Sequence, residues 1–238
     1  MGTLKEKLEE FGKHIIEQKI NEFADKTEPQ QQQLLQKLQM EFIKLAPAFL
    51  CGGYIKVRDD YRIYIRTVEF YFHSENENGI HDPIVYHRNN RYIVGNVPVP
   101  YFPMMSFHAH ASGFDITFES EDEHYRASAL IRAYEIWDIR QKSYLVYDKT
   151  IKKFRKSKDN ESIMNVQSTY LYDFLNGFGK DGIVWEDESQ YRTCKLKQTH
   201  RKGVYESTNA DNYDPKIKDG HKILDKQRLW SFTREEQI

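Results

Sequence analysis

Ile63-Tyr64-Ile65-Arg66-Thr67-Val68-Glu69-Phe70-Tyr71-Phe72 is the stretch on which the fold turns. β-branched and aromatic side chains fill it, broken by one cation and one acid, which is the composition of a strand. Strict alternation puts Ile63, Ile65, Thr67, Glu69 and Tyr71 on one face and Val68, Phe70 and Phe72 on the other. Both faces read as covered, so Glu69 is expected as an acid in an apolar environment. Burial raises a carboxyl pKa unless a cation or hydrogen-bond donors compensate. A carboxylate that stays ionised beside a water can serve as a general base. An internal ion pair with an arginine is the equally open structural reading.

Outward from this strand the same period of two recurs at 54–57, 105–109, 114–118, 127–137 and 143–147. The run Ala129-Leu130-Ile131-Arg132-Ala133-Tyr134 holds a single cation. Arg132 is either the partner of Glu69 or a bidentate holder of a phosphate. In Phe114-Asp115-Ile116-Thr117-Phe118, Asp115 points away from the phenylalanines, towards a pocket or the surface. Ahead of the strands, Leu4, Leu8, Phe11 and Ile15, continued by Ile20 and Phe23, recur at helical spacing behind a capping box opened by Thr3. A second box at Thr27 opens a helix with the stripe Leu34, Leu38, Phe42 and Leu45. A further helix is expected over Ser168–Asn176, stopped by Gly177, while the polar C-terminal part shows only isolated aromatic anchors such as Trp185 and Trp230. The expected fold is α+β: a curved, mainly antiparallel sheet with surrounding helices and an N-terminal helical hairpin. Residues 1–46 form the hairpin, packed on a main domain of residues 47–238.

Composition narrows the function. The 238 residues carry 35 Lys+Arg against 36 Asp+Glu, a net charge of −1, so the basic excess common in proteins that hold long duplex DNA is missing. Any nucleic-acid contact must come from a local patch, for which the basic segment 149–158 is the candidate. No apolar run is long enough to span a bilayer, and no membrane partner is expected. Cys51 and Cys194 form neither a CxxC motif nor a disulfide framework, so reduced thiols in the cytoplasm are the expectation. Histidines gather at His73, His81, His87, His108 and His110. His108 and His110 share a strand face, an arrangement able to ligate a metal, but no nearby carboxylate completes a recognisable site.

Three motifs in order resemble the alkyladenine (3-methyladenine) DNA glycosylase family. Leu45-Ala46-Pro47-Ala48-Phe49-Leu50-Cys51-Gly52 looks like the lead-in to that family's first strand. Arg66-Thr67-Val68-Glu69-Phe70-Tyr71, then Asp82-Pro83 and His87, looks like its catalytic strand and loop. Ala129-Leu130-Ile131-Arg132-Ala133-Tyr134-Glu135 looks like its later arginine strand. His200-Arg201-Lys202-Gly203-Val204 and Leu229-Trp230-Ser231-Phe232 resemble its C-terminal landmarks more weakly.

The resemblance implies that Glu69 deprotonates a water attacking the sugar C1′. It places Tyr71 and His87 against an extruded base, Phe107 or His108 in the role of a further stacking ring, and Arg132 near a phosphate. Asp115 falls where the family has a base-discriminating asparagine, and a carboxylate there changes the favoured base. No metal and no organic cofactor is implied. The function so implied is base excision from DNA, single- or double-stranded, as in DNA repair. Three rivals stand beside it: the same chemistry on free nucleotides or a small nucleoside, a non-catalytic nucleic-acid- or protein-binding module, and a histidine-based metal hydrolase.

Overall fold

In the computed structural model, the described residues are 2–19, 26–76, 79–80, 82, 85, 100–110, 113–179, 182–201 and 229–235. Helix α1 (Leu4–Glu17) starts at the expected box: Glu6 N–H donates to Thr3 Oγ1 at 3.2 Å, and Thr3 N–H donates to Glu6 Oε2 at 2.8 Å. Its stripe Leu4, Leu8, Phe11 and Ile15 is fully buried; Ile20 and Phe23 lie outside the described residues. Helix α2 (Glu28–Cys51) begins where Gln30 reaches back to the Thr27 N–H at 3.0 Å, and it continues through Pro47 to Cys51.

The strands follow as β1 (Gly53–Val57), β2 (Tyr61–Ser74), β3 (Phe107–His110), β4 (Gly113–Thr117), β5 (Tyr125–Asp138), β6 (Ser143–Asp148) and β7 (Lys153–Lys156). Helix α3 (Ser168–Asn176) precedes β8 (Ile183–Asp187), β9 (Lys195–Thr199) and β10 (Ser231–Glu235). Gly177 caps α3, as expected. The long strands β2 and β5 pair along their whole length, from Tyr61 opposite Asp138 to Ser74 opposite Tyr125. Each then takes two partners on its outer edge: β1 and β10 flank β2, while β4 and β6 flank β5. The pairings are antiparallel, and the sheet curls strongly into a half-barrel. This is the expected α+β architecture, with the helix pair at its N-terminus.

The helices fill one face of that sheet. Phe42 stacks on Phe70 with centroids 4.8 Å apart, and Phe11 packs on Phe42 at 5.8 Å and edge-on to Phe118 at 5.3 Å. The hairpin and the sheet therefore share one core. Burying each such ring contributes roughly 2–3 kcal/mol, so this cluster is a major part of what holds the helices on the strands.

Two expectations are corrected. Strict alternation grouped Ile63 and Ile65 with Glu69, but the β2–β5 register shifts on both sides of Thr67. This β-bulge swaps the faces, so Ile63 and Ile65 join Val68, Phe70 and Phe72 in the core, while Glu69, Tyr71 and His73 face away from it. Second, Cys51 and Cys194 are joined as a disulfide across 143 residues rather than held as two thiols. Arg192 N–H donates to Cys51 O at 2.9 Å, and Glu188 N–H donates to Gly52 O at 2.8 Å. Those two bonds lay the segment before β9 along the end of α2. The C-terminal region also supplies β8, β9 and β10 where the sequence showed only aromatic anchors. Among the described residues, no helix is long and apolar enough to cross a membrane.

Candidate functional site

On the face turned from the helices, one row of residues runs across five strands. Ser231 pairs with Glu69, Glu69 with Leu130, Leu130 with Asp115, and Asp115 with His108. Cross-strand partners project to the same side of a sheet, so the register lines up four of the polar positions singled out in the sequence or next to them. With strands roughly 4.8 Å apart, Asp115 stands about 10 Å and His108 about 14 Å from Glu69 along this row.

Glu69 is completely enclosed. Arg132 Nε donates to its Oε2 at 2.7 Å, and the Tyr71 hydroxyl donates to the same oxygen at 2.9 Å. Arg132 Nη2 also donates to the Tyr71 hydroxyl at 3.3 Å, closing a triangle. Strand periodicity explains the grouping: Glu69 and Tyr71 are two apart on β2, and Arg132 is two beyond Leu130 on β5. Burial pushes the Tyr71 phenol far above its usual range, and the charge of Glu69 pushes it further, so Tyr71 stays a neutral donor. Burial alone would lower the Arg132 pKa, but Tyr71 and Glu69 outweigh it and the net direction is up. The Arg132 side chain keeps 25% exposure above the fully buried carboxylate. The triad is thus a desolvated carboxyl group that accepts from a cation and a phenol, with the cation bridging it to the surface.

No protein-family model, characterised protein or solved structure matches this chain. What the site can do rests on its own geometry.

Among the other candidates, Asp115 is buried and accepts from the Ser128 hydroxyl at 3.2 Å. His108 packs against Phe102 with ring centroids 4.3 Å apart. Phe107 stacks on Phe114 and contacts the helix-side core, so it faces away from Glu69. Phe107 and His108 line one wall of a cleft of about 650 Å³, whose other wall is Tyr172, Leu175 and Asn176 of α3. His87 lies outside the described residues, as do His81, Pro83 and the span 202–228. Glu69, Tyr71 and Arg132 are therefore in direct contact, Asp115 and His108 share the row of Glu69, and Phe107 and His108 line the cleft.

Several polar residues of this face were not assigned roles from the sequence. Arg126, fully buried, donates to Glu75 at 2.5 Å, to Glu119 at 3.2 Å and to Pro100 O at 3.0 Å, with the Tyr101 ring 4.0 Å away. His73 Nδ1 accepts from Asp82 N–H at 3.0 Å, which places the proton of a neutral imidazole on Nε2, towards Glu75. Asp82 in turn binds Arg201 at 2.6 Å. Arg126 and Arg132 sit six apart on β5, an even spacing that keeps both on this face. The Asp82–Arg201 pair spans 119 residues, and no local pattern announces it.

The basic segment 149–158 contains β7, which pairs with β6 beyond the far end of β5. Leu145 of β6 sits opposite Ile136, six residues along β5 from Leu130, which is roughly 20 Å of strand. Its Arg155 is bound by Asp148 at 2.8 Å and by Glu161 at 2.7 Å, and hydrogen bonds from Arg155 hold the Glu161 carboxyl down at about 2. Among the described residues, no cluster of three or more His, Cys, Asp or Glu side chains is arranged to hold a metal ion.

Proposed function

We propose that this chain hydrolyses the N-glycosidic bond of a damaged or modified nucleobase in DNA, with Glu69 orienting and deprotonating the attacking water. The observation that carries the reading is the enclosed Glu69 carboxylate, locked by Arg132 and Tyr71 on the face turned from the core. An arginine-bound carboxylate is a modest base. Departure of a base from C1′, however, builds positive charge on the sugar, and a fixed, desolvated negative charge stabilises that state more than raw basicity would. Asp115, on the same row about 10 Å away, lies where the far edge of a base would fall if its sugar sat beside Glu69.

A free nucleotide or nucleoside is the second reading of the substrate. It is favoured by the engaged charge of Arg155 and by the distance of the basic hairpin from Glu69. A cytoplasmic setting belongs to the same proposal. The Cys51–Cys194 disulfide weighs against it, because structural disulfides persist mainly in oxidising compartments.

Glu69→Gln tests the mechanism. It keeps the shape and one acceptor oxygen for Arg132 and Tyr71 while removing the charge. The expected result is a folded protein that still binds substrate and has lost base release on the order of a hundredfold or more. Wild-type turnover in Glu69→Gln would remove Glu69 from the chemistry.

A further inference from the structure

Arg201 follows β9 by two residues, and its side chain is completely enclosed. Nη1 donates to Asp82 Oδ2 at 2.6 Å and to Phe70 O at 3.4 Å. The guanidinium also lies against two rings, with Cζ 4.7 Å from the Tyr71 centroid and 4.9 Å from that of Trp230. Asp82 is itself held, through its N–H, by His73. The remaining donors, Nε and Nη2, are buried and have no hydrogen-bond partner among the described residues.

Those two nitrogens share one edge of the guanidinium plane, and their N–H bonds point the same way. This is the fork that takes two oxygens of a carboxylate or phosphate side by side. A buried charged donor left unmade is costly, so native proteins rarely keep one without a function. Here the cation is fixed by Asp82, the Phe70 carbonyl and two rings, and only the bidentate edge is left over. Phe70 is the residue between Glu69 and Tyr71, so the fork belongs to the neighbourhood of the candidate site.

We propose that the Nε/Nη2 edge of Arg201 is an oxyanion subsite for a terminal phosphate or carboxylate of a small ligand. A terminal group is the choice because Arg201 is enclosed, and an internal phosphodiester would have to carry two chains past it. Under the second, free-nucleotide reading of the N-glycosidic substrate, on which the ligand's identity rests, the ligand is a nucleoside 5′-monophosphate. The subsite itself is read by binding alone.

The test uses the full wild-type chain and the ¹⁵N–¹H signal of the Arg201 Nε–H, assigned by its disappearance in Arg201→Lys. Titration with inorganic phosphate should shift that signal saturably. A deoxynucleoside 5′-monophosphate should bind roughly tenfold or more tighter than the same nucleoside. Arg201→Lys keeps a cation beside Asp82 but has no fork, and should abolish that preference. An acetate arm separates the sources: a shift with acetate and none with phosphate assigns the site to carboxylates. No shift with either anion overturns the proposal. A nucleotide preference that survives in Arg201→Lys does the same, and the wild-type titration decides alone if the variant does not fold. Anion binding without base release would sink the glycosidic reading and keep the subsite; base release without anion binding would do the reverse.

Discussion

At the scale of single residues, Glu69 and Arg132 each stand out as the one odd charge in an apolar strand, and they are partners at 2.7 Å. Their anomaly was legible because alternation leaves an isolated charge nowhere to hide. Their pairing was one of two readings of the sequence, and the structure gives the ion pair. The pair is asymmetric, with Glu69 enclosed and Arg132 reaching solvent. Removing the cation should therefore cost more than removing the acid. Arg132→Met takes the cation from a buried carboxylate, leaving it the Tyr71 hydroxyl, and should destabilise by about 3 kcal/mol. Glu69→Gln should cost less, and the double variant Glu69→Gln/Arg132→Met should recover most of the loss. Urea unfolding of the four proteins measures the coupling. Strictly additive effects would mean that the contact contributes nothing. Arg201 was not legible in this way, because its partner Asp82 is 119 positions away and its neighbours are all polar.

At the scale of elements, the helices were readable from their caps and stripes, and the central strands from their alternation. Edges were less so: the strand expected at 105–109 is Phe107–His110, the apolar run Ile183-Val184-Trp185 of β8 is too short to show a period, and β9 has Leu196 as its one apolar residue. The bulge at Thr67 was invisible, since nothing in the residues demands an extra one, and it alone reassigns Ile63 and Ile65. The disulfide is a second element-level device, clasping the end of α2 to the start of β9. β9 pairs with β10, and β10 places Ser231 opposite Glu69, so the clasp supports the edge of the candidate site. By loop-closure entropy, a crosslink of this span contributes up to about 5 kcal/mol. Reduction, or Cys51→Ser with Cys194→Ser, should lower Tm by roughly 10 °C. An unchanged Tm under full reduction, with thiols counted by alkylation, would show that the crosslink does not hold these elements.

At the scale of the whole molecule, a curled sheet devotes one face to an aromatic core shared with three helices. The other face carries a chain of buried polar contacts from Glu119 through Arg126, Glu75, His73 and Asp82 to Arg201, with ion pairs at Glu119–Arg126–Glu75 and at Asp82–Arg201, beside the Glu69 triad. Buried charges are expensive unless paired, and the pairing along this face offsets that cost. The net charge of −1 and the remote basic hairpin give such a face little hold on a long polyanion. We propose that this face breaks an N-glycosidic bond. The most direct measurement incubates the wild-type chain with alkylated duplex DNA, alkylated single-stranded DNA and free modified nucleotides, side by side, and quantifies liberated base by chromatography. Free base is expected from at least one of the three, with a hydroxyl left at C1′ of the sugar. No liberated base from any of them, by a protein shown to be folded, would contradict it.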